Sequence, residues 1–389
     1  MKELSKTMQA VPWSAIRKIF DMCIGVDDLV KFTVGEPDFA TQPNVIEAAH
    51  QAMLRGETKY TSNRGVIELR RAISEAARKK KNVDIDPETE VIVTNGGMQA
   101  LFMSMKALLN PGDEIIIGAP YFTNYLSQVL MCDAVPKFVQ LREEDGFIMT
   151  VDALRAAITD KTKAVLLNSP SNPLGSVIDR ESLEGLAQVI KENNLYVITD
   201  EVYQDYIYDD DVKFCSIASL EGMKERSIIV DSCSKAFAMT GWRVGYAAGP
   251  AHIIDLMVKQ QEGMASCVNA PAQYAALEAI TNTEQAVSDM IQTFRRRRDL
   301  FVEGINNIDG LSCVKPKGAF YLFVNIKKTG LTSDEFAVRL LREAKVGVIP
   351  GSGFGDEGEG YVRISYVVSE DDIREGLKRI EGFVRSLGL

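Results

Sequence analysis

From about residue 45 onward the chain alternates short apolar runs with helical stretches of ~10–15 residues, and that alternation narrows the fold more than any other feature. Residues 43–55 and 66–80 repeat apolar side chains at helical spacing, 90–94 is a β-rich run, and a helical pattern then continues through Leu109. Strands are expected at 114–118, 163–167, 195–199, 227–231 and 242–248, with helices at 124–132 and 180–193. Strands covered on both faces read as continuous apolar runs, and parallel neighbours need a crossover helix between them. The expectation is an α/β fold: a mostly parallel central sheet with helices on both faces.

After about Ala272 the pattern changes. A long helical stretch runs to Asn306, followed by strands at 319–325 and 360–366 around a helix at 333–344. The last helix starts at Ser369, with Ser369 and Asp372 spaced as a capping box and Ile373, Leu377, Ile380 and Val384 on one face. This reads as a second, smaller α+β domain. The expected division is an N-terminal segment 1–44 packing with the small domain, a large domain 45–280 and a small C-terminal domain 281–389, and the length suffices for two cores.

Composition excludes several classes of function. A net charge of −10 leaves no electrostatic footprint for nucleic acid or an anionic membrane. Arg295–Arg298 reads as a solvated helix face and Asp209–Asp211 as a loop surface. The six cysteines form no C-x-x-C pair, and with only His50 and His252 beside them no zinc spacing can be assembled, so no metal is expected. Met1–Pro12 has no apolar signal region and no stretch approaches the ~20 apolar residues of a membrane span, so a cytoplasmic protein with reduced thiols is expected.

In open parallel sheets ligands bind beyond the carboxyl ends of the strands. Gly97, Asn172, Asp200 and Lys235 all fall at or just past such ends. The glycine pair in Asn95-Gly96-Gly97-Met98-Gln99-Ala100 opens a helix, where the amides of Gly97, Met98 and Gln99 can hold a phosphate. Asp200 ends a buried strand, where a carboxylate is costly without a cationic partner. Lys235 lies in Ser232-Cys233-Ser234-Lys235-Ala236-Phe237, with Arg243 eight residues on. A lysine at a strand end beside phosphate-binding groups suits a Schiff base to a phosphorylated aldehyde. Gly351-Ser352-Gly353-Phe354-Gly355 is not followed by a helix, so it is no dinucleotide fingerprint and instead lets the chain turn toward Arg363.

The run 232–245 resembles the lysine segment of fold-type I pyridoxal-phosphate aminotransferases of class I/II, the aspartate/aromatic type. Further segments agree in order: Gly35-Glu36-Pro37-Asp38, Tyr60 to Arg70, Tyr121 after Ala119-Pro120, Ser169-Pro170-Ser171-Asn172-Pro173-Leu174-Gly175, Thr199-Asp200-Glu201-Val202-Tyr203, and Arg363 on an alternating strand. The resemblance implies pyridoxal 5′-phosphate as cofactor, with Lys235 as Schiff-base lysine and proton carrier and Asp200 on the ring nitrogen. Asn172 and Tyr203 would hold the phenolic oxygen, Tyr121 would stack on the ring, and Ser232 and Arg243 would bind the phosphate beside Gly97, Met98 and Gln99. Ser234 would be structural. Arg363 would grip the substrate α-carboxylate, with the Gly35 amide and Asn172 beside it. Tyr60 would reach the phosphate of a neighbouring subunit, which implies a homodimer with shared sites.

The implied activity is transfer of an amino group between an L-amino acid and a 2-oxo acid. A C–S β-lyase on the same fold is the alternative; a non-catalytic binding domain and an NAD-dependent oxidoreductase stand further back. Leu174, Cys233 and Arg64 depart from the family pattern. Arg64 reads as a solvated loop cation, with a distal substrate carboxylate as the alternative, and Ile16, Arg17 and Tyr125 are candidates for the side-chain pocket.

Overall fold

The strands fall, in chain order, at β1 (Val30–Lys31), β2 (Val91–Thr94), β3 (Glu114–Ala119), β4 (Val135–Gln140), β5 (Thr162–Asn168), β6 (Tyr196–Asp200), β7 (Ser227–Ser232), β8 (Gly245–Ala248), β9 (Ser312–Cys313), β10 (Tyr321–Asn325), β11 (Val346–Gly347), β12 (Ile349–Pro350) and β13 (Tyr361–Ser365). They come from a computed structural model that describes residues 2–13, 19 and 21–388. Seven of them form one sheet in the order β2-β8-β7-β6-β5-β3-β4. β8 is antiparallel to both its neighbours, and every other pairing is parallel.

The central strands are buried because both faces are covered. One face packs on the helices Gly97–Leu108, Asn124–Met131 and Ala251–Met264, through Ile198, Val230 and Ala247. The other face carries a cluster built on Ile229, Val93 and Tyr246 under helices Pro43–Leu54, Ile67–Lys81 and Ala270–Asn282, and a second built on Val165 and Val197 under Val151–Ala157 and Arg180–Glu192. The mostly parallel α/β sheet read from the sequence is therefore present. β4 was not foreseen, because it is an edge strand of mixed exposure that carries Pro136 and has no continuous apolar run.

A four-stranded antiparallel sheet, β12-β13-β10-β9, forms the second unit with helices Ser333–Ala344 and Glu370–Ser386. β1 pairs in parallel with β11, and Phe32 enters the same core. The start of the chain instead leans on the large sheet unit: Thr7 in helix Lys6–Ala10 donates to Asp133 at 2.7 Å.

Three local expectations are corrected. The strand expected at 242–248 starts only at Gly245, after a 3₁₀ turn at Thr240–Trp242 and a left-handed Arg243. The Ser369 cap is one-sided: Ser369 accepts from the Asp372 amide, while the Asp372 carboxylate meets the Ser369 hydroxyl. The reciprocal box is at Thr332 and Glu335. The arginine run is a solvated face only in part: Arg296 is exposed, but Arg297 and Arg298 are buried. On the helix Glu284–Asn306, Arg297 is held by both oxygens of Asp38 at 2.8 Å and the buried Arg298 by both oxygens of Asp209 at 2.8 Å. Helical periodicity puts residues 297 and 298 inward, and only the fold brings them their acids. No helix among the described residues is long and apolar enough to cross a membrane.

Candidate active site

The carboxyl ends of β2, β5, β6 and β7 open onto a cleft of about 450 Å³, closed on its far side by residues 33–36, Tyr321 and Arg363. Lys235 stands in it on the short helix Cys233–Ala236, which Ser232 caps by accepting the Ser234 amide at 3.1 Å. Its Nζ donates to the Gly35 carbonyl at 2.5 Å and lies 6.0 Å from the Tyr203 ring centroid. Burial lowers its pKa from 10.5 to about 8; Glu36 opposes that shift, and Arg363 and Arg243 add to it. A substantial neutral fraction near physiological pH follows, which a nucleophile or base requires.

Asp200 ends β6 and is 5% exposed. Its Oδ2 accepts from the Tyr125 hydroxyl at 2.6 Å and its Oδ1 from the Val202 amide at 3.3 Å. Burial raises its pKa to about 6, and these two hydrogen bonds work against the rise. Among the described residues no lysine or arginine ion-pairs with it. The Tyr203 hydroxyl sits 2.8 Å from that of Tyr321. Asn172 accepts from Arg363 Nη1 at 3.0 Å through its Oδ1, so its amide nitrogen is the group left for the cleft.

Arg363, on β13, is 2% exposed. Besides Asn172 it donates to the Thr33 carbonyl at 3.1 Å and lies over the Tyr321 ring at 4.5 Å. Its Nε and the Thr33 hydroxyl are buried without a partner. The guanidinium has no carboxylate among the described residues and lines a cavity, which is the condition for taking an anion from solution.

At the other end of the cleft, Gly96 with φ of +79° caps the helix Gly97–Leu108, and the amides of Gly97 and Met98 open it. Gly245 must be glycine, because a Cβ there would lie 2.5 Å from the Gly97 nitrogen. The hydroxyls of Ser232 and Ser234, 2.9 Å apart, line the same corner. Arg243, exposed and left-handed with φ of +56°, lays its guanidinium against Gly96 and donates to the Thr240 carbonyl at 2.8 Å. A non-glycine residue in this conformation is uncommon, and such strain is concentrated at functional sites.

Several expected residues stand elsewhere. The Gln99 amide donates to the Gly96 carbonyl at 3.2 Å and its side chain accepts from the Asn95 amide at 2.6 Å, so it turns inward from the cleft. Tyr121 is stacked on Phe138, with ring centroids 4.6 Å apart, and does not line the cleft. Phe122 lines it instead, edge-on to Tyr125. Adjacent residues of the turn face opposite ways, and the sequence favoured the wrong one. Tyr125 does line the cleft, with its hydroxyl committed to Asp200. Tyr60 is 88% exposed and outside the cleft. Arg64 pairs with Asp255 and donates to the Thr89 carbonyl at 3.0 Å, away from the cleft. Ile16 and Arg17 lie outside the described residues. Sequence reasoning missed Tyr321 and the bond from Thr240 to Glu36 at 2.8 Å, each made across more than a hundred residues.

Residues 27–380 match the family model for aminotransferase class I and II. The chain is 46% identical to an aspartate aminotransferase of Pyrococcus abyssi, with 98% of each chain covered. It is 42% identical to aromatic-amino-acid aminotransferase 2 of Thermococcus litoralis, with 97% of each covered. It superposes on the aspartate aminotransferase of Thermus thermophilus with maleate at a TM-score of 0.93 and 40% identity, covering 99% of this chain and 100% of that one.

Proposed function

The chain belongs to the class I and II aminotransferases and is a transaminase dependent on pyridoxal 5′-phosphate, and from that premise we propose which of its residues carry the transfer between an L-amino acid and a 2-oxo acid. The observation that carries the reading is Arg363, a buried cation without a carboxylate among the described residues, facing Lys235 across one cleft. The residues present fit the cofactor. Asp200 is a buried acid in want of a cation, which the ring nitrogen provides. The amides of Gly97 and Met98, the hydroxyls of Ser232 and Ser234 and the Arg243 guanidinium suit its phosphate. Lys235, with its pKa near 8, suits the aldehyde.

When bound, pyridoxal phosphate supplies a conjugated acceptor for the electron pair left at the substrate α-carbon. Lys235 Nζ takes the proton from that carbon, and Gly35 and the Tyr203 ring fix where the amine stands. Asp200, steadied by Tyr125, holds the proton on the ring nitrogen. Asn172 and Tyr203 serve the phenolic oxygen, and Phe122 takes the wall position first expected of Tyr121. Arg363 grips the α-carboxylate as a fork, and Asn172 and Thr33 set its plane.

The reading extends to a cytoplasmic homodimer divided at about residues 44 and 280. Six free cysteines, Tyr60 standing free at the surface and the separate seven-stranded and four-stranded sheets support it.

The test is a donor panel against 2-oxoglutarate and pyruvate, with borohydride fixation of the pigment. Label on Lys235 and acceptor-dependent turnover are expected, and Lys235→Ala should cut turnover by about 10²–10⁴ without lowering the melting temperature. Label on another side chain, or ammonia released without an acceptor, would refute the reading.

A further inference from the structure

Successive side chains of a strand point to opposite faces of its sheet. In the β6–β7 pair Asp200 aligns with Val230. Ser232 therefore shares the face of Asp200, while Glu201 and Asp231 project together to the other face. Lys81, the last residue of helix Ile67–Lys81, reaches between those two: its Nζ is 2.7 Å from Glu201 Oε2 and 3.1 Å from Asp231 Oδ2, and the three side chains are 1%, 1% and 6% exposed.

The remaining lone pairs are occupied. Glu201 Oε1 accepts from the hydroxyls of Thr199 at 3.0 Å and Ser216 at 2.6 Å. Asp231 Oδ2 accepts from Tyr246 at 2.9 Å and Gln204 at 2.5 Å, and Asp231 Oδ1 from the Ser232 amide at 2.7 Å. None of the three charged side chains, Lys81, Glu201 and Asp231, lines the cleft. A buried ion triad gives less stability than packed apolar side chains of the same volume, so architecture alone is a weak reason for it. Each carboxylate is, however, the chain neighbour of a cleft residue: Glu201 follows Asp200, and Asp231 precedes Ser232.

We propose that Lys81 is a positioning residue for the cofactor, drawing Glu201 and Asp231 together from behind the sheet so that Asp200 and Ser232 stand where the ring nitrogen and the phosphate require them. It also cancels negative charge beside Asp200. Glu201 and Asp231 both push Asp200 toward its protonated form, which holds a cationic ring nitrogen poorly, and an ammonium placed between those two carboxylates opposes their charge. The proposal rests on the reading that Asp200 contacts the cofactor.

The test titrates cofactor-free protein with pyridoxal phosphate by absorbance. Lys81→Met should weaken cofactor binding about tenfold or more and lower kcat, with KM for the amino donor unchanged, since Arg363 is untouched. The triple variant Lys81→Met/Glu201→Gln/Asp231→Asn buries no uncompensated charge and carries the same reading should the single variant not fold. It, too, should bind the cofactor about tenfold more weakly, because the clamp is gone. Parental affinity in either folded variant, with only a lower melting temperature, would overturn the proposal. Asp200→Asn is titrated in parallel. If it keeps parental affinity, the reading of Asp200 itself fails; if it weakens binding while the Lys81 variants do not, only the role of Lys81 falls.

Discussion

Arg298 and Arg363 are both buried, at 0% and 2% exposure, and their surroundings differ in one respect. Arg298 has the two oxygens of Asp209 at 2.8 Å, Asp299 at 2.9 Å and the Pro316 carbonyl at 3.0 Å. Arg363 has an amide oxygen, a backbone carbonyl and the rings of Tyr321 and Phe354, but no acid among the described residues. Burial alone would lower both pKa values. Asp209 and Asp299 more than reverse that for Arg298, whereas Arg363 stays lowered. Arg298, closed by its own chain and outside the cleft, is architecture. Arg363, left open onto a cavity, is held for a ligand.

Exchange of the two arginines for methionine gives the largest separation. Arg298→Met removes the buried partner of the half-buried Asp209, leaving it Lys315 at 3.7 Å, and should cost about 1.5–3 kcal/mol in urea unfolding, with kcat/KM of the folded enzyme retained. Arg363→Met should do the reverse: stability held within about 1 kcal/mol, and kcat/KM down about 10²–10³-fold, mostly through KM for the amino donor. Equal stability losses in the two variants would erase the distinction.

Asp200 carries the same contrast at the acidic end of the cleft, and pH reveals it. The folded protein keeps this proton up to about pH 6, while the unfolded chain releases it near 3.8. Between those values the folded state binds more protons, so stability falls as pH rises. For cofactor-free protein the loss attributable to this group approaches about 3 kcal/mol by pH 7. Chemical unfolding at pH 4 and pH 7 should show most of that drop in the parent and not in Asp200→Asn, and pyridoxal phosphate should remove it by supplying the missing cation.

The sheet and the strand-end positions of Lys235 and Asp200 were legible in the sequence because each depends on local pattern, an apolar run or its end, whereas Arg363 was named through the family resemblance. What was not legible depends on partners distant in sequence. Arg297 and Arg298 looked solvated because Asp38 and Asp209 lie 259 and 89 residues away. Tyr121 displaced Phe122 in the reading because both are aromatic and only the turn geometry separates them. Gln99 was counted among the phosphate donors because the return bond of its amide to Gly96 is a property of the folded cap.

Arg64 gives the smallest expected effect and tests the contrast at its limit. It is a cation closed by its own chain, through Asp255 and the Thr89 carbonyl, but near the surface: its side chain is 19% exposed and that of Asp255 60%. Solvent screens such a pair, so Arg64→Ala should cost no more than about 1 kcal/mol. Because the guanidinium is turned from the cleft, the ratio of kcat/KM for a dicarboxylic donor to that for a neutral donor should stay at the parental value. A selective loss with the dicarboxylic donor would mean that Arg64 leaves Asp255 during turnover, and that a charge paired in the resting chain is not thereby withdrawn from chemistry.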